Sequence, residues 1–207
     1  MIKIGVTGGI GCGKTFVCNL LRDRGIPVYS CDDEAKRLMQ ESPSIRAQLS
    51  SLIGKDAYID GSLNKTIIAQ FLFASPDNGK KINSIVHPAV KQDFKEWAER
   101  QQEAIVAQEC ALLFEAGFQD SVDIVIAIQA PVEVRIERAM KRDNATRQQI
   151  EARMQQQLDD EEKIRRADYS IVNDGKADIK KQIDNILKLI ISHDKKNSRH
   201  FRQTRAL

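Results

Sequence analysis

Residues 8 to 15, Gly8-Gly9-Ile10-Gly11-Cys12-Gly13-Lys14-Thr15, spell the pattern G-x-x-x-x-G-K-[ST] and follow the apolar run Ile2-Lys3-Ile4-Gly5-Val6-Thr7. The run reads as a buried strand, and Phe16-Val17-Cys18-Asn19-Leu20-Leu21 repeats apolar residues at helical spacing. The pattern therefore sits where a strand passes into a helix, the setting of a phosphate cradle. Gly8, Gly9, Gly11 and Gly13 let the backbone N–H groups of the loop, those of Ile10 and Cys12 included, turn inward on an anion. The helix behind them points its positive end at the same place, Lys14 supplies a mobile cation, and the Thr15 hydroxyl can ligate Mg2+. In a bare turn those glycines would cost chain entropy for no return, and Lys14 would face a helix N-terminus that repels it.

Such a loop serves ATPases, GTPase switches and small-molecule kinases alike, so the rest of the chain has to choose between them. A length of 207 residues suits one domain with a full-sized core and room for an insertion or lid. No apolar run approaches the length that crosses a bilayer, and Met1-Ile2-Lys3 passes straight into the first strand, leaving no space for a signal peptide. Cys12, Cys18, Cys31 and Cys110 show no C-x-x-C pairing. Their spacing fits reduced thiols in a cytoplasmic protein better than disulfides or zinc.

The net charge of +3 is concentrated at one end. From Asp194 onward one acid stands against Lys195, Lys196, Arg199, Arg202 and Arg205, and the remaining residues are close to neutral. Residues 193–207 lack apolar periodicity, so they are expected to form a solvated, disordered basic tail rather than a nucleic-acid arm. No nucleic-acid or membrane partner is expected.

Ile26 to Ser30 reads as a second strand, Ile105-Val106-Ala107 as a third, Val122 to Ile128 as a fourth and Asp168 to Val172 as a fifth. Continuous apolar strands separated by helices imply an α/β fold with a parallel sheet covered on both faces. Helices are expected to dominate from Asp32 to Arg100, broken at Ser42-Pro43, Gly54, Asp60-Gly61, Ser75-Pro76 and His87-Pro88. This stretch is an insertion, expected to close over the phosphate loop because ligands of such sheets bind at the carboxyl ends of the strands.

Two carboxylates, Asp32 and Asp33, follow the second strand on the loop's side of the sheet. One of them can serve as the base that receives the proton of an attacking hydroxyl, or either can simply cap the next helix. Past Pro131, Arg135, Arg138 and Arg142 fall at i, i+3 and i+7 and are expected to share one helix face. Thr146-Arg147-Gln148-Gln149 reads as a capping box opening a second helix that carries Arg153. The pair suggests an arginine-bearing lid that closes on a transferring phosphoryl group; a salt-bridged solvent face with Glu133, Glu137 and Glu151 is the alternative. Glu109, ending the third strand, suits a carboxylate that holds Mg2+, with Glu115 the other candidate. His87 can contact a substrate phosphate or satisfy backbone groups at a helix junction.

Taken together, Thr7 to Thr15, Asp32, Ile85-Val86-His87-Pro88, Leu112-Leu113-Phe114-Glu115, Arg138 through Arg142-Asp143, Arg153 through Gln157 and Ala167-Asp168 through Asn173 resemble the dephospho-coenzyme A kinases. The similarity runs from the first strand to about Gly175. It implies a P-loop kinase with a five-stranded parallel core (1–31, 104–134 and 158–192), a helical substrate-binding insertion (32–103) and a lid (135–157). It also implies an enzyme that uses ATP and Mg2+ to phosphorylate the ribose 3′-hydroxyl of dephospho-CoA; a monomer is expected, with self-association left open. By this resemblance Asp32 is the base, with Lys14, Arg138 and Arg142 acting on the phosphates and Gly8 to Thr15, Arg142 and Asn173 holding ATP. Asp32, His87, Leu112 and Glu115 would meet the acceptor, and Thr15 with Glu109 the metal. The chain departs from the family pattern at Cys12, Thr15-Phe16, Ser30, Lys65, Glu109 and Arg135. A nucleoside or nucleoside monophosphate kinase is the alternative; a GTPase is disfavoured because no Asn-Lys-x-Asp segment is present.

Overall fold

The computed structural model describes residues 1–75 and 77–203, with side chains up to residue 192. Strand β1 (Ile2–Thr7) leads through the glycine loop into α1 (Lys14–Arg22), and β2 (Val28–Ser30) follows. The insertion comprises α2 (Cys31–Glu41), α3 (Pro43–Ile53), a hairpin of β3 (Tyr58–Ile59) and β4 (Ser62–Leu63), α4 (Lys65–Ala74) and α5 (Asn78–Glu99). Then come β5 (Ile105–Glu109), β6 (Ile124–Gln129), α6 (Val132–Asp143), α7 (Arg147–Met154), α8 (Asp160–Arg166), β7 (Tyr169–Val172) and α9 (Ile179–Gln203).

Five strands form one parallel sheet in the order β2-β5-β1-β6-β7. β1 is central and buried on both faces, with Ile4 and Val6 on one and Gly5 and Thr7 on the other, and it pairs with β5 (Ile4 beside Ala107) and β6 (Val6 beside Ile126). On one face α1 and α9 lay Val17, Leu21, Ile183 and Ile190 against the sheet. On the other, α2, α3 and α5 contribute Leu38, Leu49, Val86 and Phe94. The strand order places the carboxyl ends of β1, β2 and β5 side by side, and Ser30 is in register with Glu109.

Several expected boundaries move. His87-Pro88 does not break a helix: α5 runs through Pro88 because Val86, Val90 and Phe94 are buried along it, and that packing outweighs one missing N–H. Asp60-Gly61 is the turn of the β3–β4 hairpin rather than a gap between helices. Both residues have positive φ, 48° and 79°, the geometry of a primed turn that suits an Asp-Gly pair. The expected tail lies partly within α9, whose helical backbone continues past residue 193 to Gln203 by propagation from the apolar stripe Ile179, Ile183, Ile186 and Ile190. Residues 204–207 lie outside the described residues. Among the described residues no helix is long and apolar enough to cross a membrane.

Candidate active site

The loop's conformation is fixed from outside. Gly13, at φ 93°, caps α1, and a Cβ there would run into the side-chain amide of Asn173, which is buried and donates to the Cys12 carbonyl at 2.8 Å. Gly11, at φ 77°, lies so close to the Arg135 backbone that a side chain has no space. The Ile10 N–H donates to Gln157 Oε1 at 2.9 Å, and the Ile10 carbonyl accepts from Arg135 Nε at 2.9 Å. Lys14 Nζ donates to the Gly8 carbonyl at 2.9 Å and, more weakly, to that of Gly9 at 3.4 Å. Cys12 is a core residue, 1% exposed among Val17 and Ile128, so its thiol packs. All four cysteines are free and buried.

The two carboxylates after β2 separate in role. Neither caps α2, whose N-cap Ser30 makes no capping bond. Asp33 accepts from the Ser30 hydroxyl at 2.9 Å and from Lys36 Nζ at 3.0 Å, and Lys36 and Ser30 hold its carboxyl below the usual range. Asp32 makes no side-chain hydrogen bond or ion pair among the described residues and projects into the cleft. Glu109 and Glu115 separate as well. Glu109 Oε1 accepts from the Thr15 hydroxyl at 3.0 Å, whereas Glu115 Oε1 accepts from the Leu158 N–H at 2.8 Å and pairs with Lys163 Nζ at 3.0 Å. Thr15 and Glu109 thus form a pair of hard oxygen donors suited to Mg2+, and Glu115 is committed to a structural clasp.

Two clefts meet at this point. The first, of about 460 Å3, is lined by Lys14, Thr15, Glu109, Arg138 and Arg142. The second, of about 970 Å3, is lined by Leu112 together with Phe73, Lys80, Asn83 and Arg153. Ile10, Asp32, Ala111 and Gln157 belong to both. An unpartnered carboxylate on the wall between a phosphate-loop cleft and a second, larger cleft is what in-line transfer between two ligands needs.

The three arginines of α6 do not act alike. Arg135 is 3% exposed and ion-paired with Asp160; burial pushes its pKa down, and it lines neither cleft. Positions 135, 138 and 142 share a helix face, but the first meets the loop's back, where Ile10 and Asp160 engage its guanidinium. Arg138 donates to the carbonyl of Asn173 at 3.0 Å and its side chain at 3.4 Å, and Arg142 pairs with Asp143 at 2.7 Å. The Thr146 capping box forms as expected. His87 packs edge-on against Phe118 at 5.5 Å and lines neither cleft; burial pushes its imidazole pKa down, with Lys91 adding to the effect and Asp32 opposing it.

Sequence reasoning gave no role to Gln157, Ala111 or Lys163. Lys163, 1% exposed, also donates to the Ala111 carbonyl at 3.0 Å, and burial pushes its pKa down against the pull of Glu115. It stands in Asp-Glu-Glu-Lys-Ile-Arg-Arg, a run whose composition reads as a solvated face, so periodicity carries no signal for it.

The family model for dephospho-CoA kinase matches residues 2–178. The dephospho-CoA kinase of Bacteroides fragilis is 45% identical over 190 residues, covering 91% of each chain. A crystal structure of a protein from Thermus thermophilus matches with a TM-score of 0.79 at 32% identity, over 93% of this chain and 97% of that one. Dephospho-CoA kinase from Campylobacter jejuni, 24% identical, shares the fold with a TM-score of 0.67 over 93% of this chain and 98% of its own. With its phosphate loop, five-stranded parallel sheet and paired clefts, the chain belongs to the dephospho-CoA kinase family.

Proposed function

We propose that the loop-side cleft holds ATP, that the larger cleft holds dephospho-CoA, and that Asp32 receives the proton of the ribose 3′-hydroxyl as the γ-phosphoryl group is transferred. The products are ADP and CoA, so the reaction is the last step of coenzyme A biosynthesis. The observation that carries this reading is Asp32 itself, free of partners among the described residues and on the wall shared by the two clefts. Lys14 lies at the loop, where a phosphate oxygen can replace the Gly8 carbonyl as its partner. Thr15 and Glu109 are the residues that would hold Mg2+, which supplies charge neutralisation at the phosphates. Arg138 and Arg142 line the donor cleft, and Asn173 orients Arg138. We read α6 and α7 as the lid and α2 to α5 as the acceptor-binding region. The four free, buried cysteines fit a reducing cytoplasm.

The test is a panel of acceptors offered with ATP and Mg2+: dephospho-CoA, nucleosides, nucleoside monophosphates, or none. Transfer to dephospho-CoA alone is expected, and efficient transfer to a monophosphate refutes the reading. Asp32→Asn keeps the shape and removes the base, so kcat is expected to fall on the order of 10²-fold or more with KM for ATP little changed. Near-normal turnover by that variant removes Asp32 from the mechanism.

A further inference from the structure

Helix α4 carries the most exposed aromatic residue among the described large hydrophobics: Phe73 is 90% exposed and its neighbour Leu72 41%. The helix is not loosely held. Its inner face sets Ile68 and Phe71 against the insertion's core, Asn64 caps its first turn by accepting from the Ile67 N–H at 3.4 Å, and the buried Asn78 donates to the Phe71 carbonyl at 2.7 Å. Ala69, Leu72 and Phe73, spaced i, i+3 and i+4, are therefore held outward as one stripe, and all three line the larger cleft. Phe73 and Ala69 also border a hollow with Lys65, Thr66 and Gln70, which puts Phe73 on the crest of the cleft's wall.

We infer that Phe73, backed by Ala69 and Leu72, is a specificity-determining residue that receives the neutral pantetheine arm of the acceptor. The inference rests on the acceptor assignment made above. The chemistry of the cleft matches the order of groups in that molecule. Asp32 stands at the end shared with the donor cleft, where the ribose hydroxyl must lie. Lys80 and Arg153 are the cations of the same cleft, suited to the acceptor's diphosphate; among the described residues Lys80 is engaged only with Asp77, in an exposed pair that an anion can displace. The remaining wall is apolar, and the neutral amides of Asn83 and Gln156 beside it can bond to amide groups of the arm. A rigidly presented, solvent-exposed phenyl ring gains most from an apolar ligand segment laid across it, with little ordering cost on the protein's side.

Because Phe73 buries almost nothing in the free protein, Phe73→Ala is expected to leave thermal unfolding, kcat and KM for ATP unchanged while KM for dephospho-CoA rises about tenfold or more. Phe73→Trp supplies a direct reporter. Corrected for the native Trp97, its emission is expected to shift to the blue on adding dephospho-CoA and to stay unchanged with AMP, which shares the adenosine but lacks the arm. An unchanged KM in Phe73→Ala, or a shift that AMP produces equally, overturns the inference: the ring then reads the adenine or nothing. A wild-type enzyme that does not phosphorylate dephospho-CoA overturns the acceptor assignment as well; one that does, with Phe73→Ala unaffected, overturns the inference alone.

Discussion

The clasp between Lys163 and Glu115 offers a sharp test of the energetics, because its two partners are unequally buried. Lys163 is 1% exposed and the Glu115 side chain 22%. Replacing Lys163 by Met keeps the aliphatic stem and removes the cation. Breaking a buried pair from one side costs about 3–5 kcal/mol. Here Glu115 keeps some solvent and the Leu158 N–H, and the Ala111 carbonyl keeps the Thr7 hydroxyl at 3.5 Å. The expected loss is therefore nearer to about 2–3 kcal/mol, a fall in Tm of about 4–12 °C for a chain of this size. Lys163→Met combined with Glu115→Gln removes both charges while the glutamine oxygen still accepts from Leu158, so it should recover about 1–2 kcal/mol of that loss. Glu115→Gln alone should be the worst of the three, since it leaves the more buried charge unpaired. That variant carries a pH signature. Burial already pushes Lys163 below its ordinary value of 10.5, so the unfolded chain holds the proton to higher pH than the folded one. Stability then rises with pH between the lowered folded value and 10.5, and more steeply in Glu115→Gln than in wild type. The assay is denaturant unfolding of all four proteins at neutral and alkaline pH. Strict additivity in the double variant, or a loss below about 0.5 kcal/mol in Lys163→Met, refutes the reasoning.

The same arithmetic applies elsewhere. Gly13→Ala combines a positive φ of 93° with a Cβ aimed at the Asn173 amide, so it should cost about 1–3 kcal/mol and weaken ATP binding. Unfolding and nucleotide titration check it, and wild-type behaviour in both refutes it. His87, held neutral by burial against Phe118, protonates more readily in the unfolded chain, so native stability should fall as pH drops from 6.5 toward its lowered folded value. His87→Gln should flatten that slope, measured as denaturation midpoints at pH 7.5 and 5; an equal slope in both proteins removes His87 as the cause.

The parts of the fold that were legible in the sequence are those in which one local pattern dominates. The strand, glycine loop and helix of residues 2–22 follow from alternation of period and from φ requirements that only glycine meets, and the sheet follows from four further apolar runs. His87-Pro88 was misread because Pro88 is a strong local signal that burial of Val86, Val90 and Phe94 overrides. The site was legible where a residue's neighbours in sequence are also its neighbours in space, as for Lys14 and Thr15. It was not legible where the deciding partner comes from afar: Asp160 claims Arg135, Leu158 and Lys163 claim Glu115, and Lys36 and Ser30 leave Asp32 as the free carboxylate. Spacing places Arg135, Arg138 and Arg142 on one face but does not say that the first turns toward the back of the loop.

That division among the arginines bears on how the proposed lid would work. Besides the Gly8 and Gly9 carbonyls that Lys14 engages, three loop groups are held from the segment 135–157 or from beyond β7: the Ile10 carbonyl by Arg135, its N–H by Gln157, and the Cys12 carbonyl by Asn173, which in turn fixes Arg138. The loop and the first turns of α6 therefore behave as one preset body, with Arg138 already oriented at the loop-side cleft. Arg142, one turn further, is 63% exposed and among the described residues is bound only to Asp143, which it shares with Arg153 at 2.9 Å. Arg142 lines the loop-side cleft, proposed above for the donor, and Arg153 the larger cleft, proposed for the acceptor. One carboxylate thus restrains a cation for each substrate, and phosphates in both clefts would compete with Asp143 for them. Loading of either cleft frees Asp143 to neutralise the other arginine more fully, so the last step of lid closure should need both ligands, which limits transfer of the phosphoryl group to water.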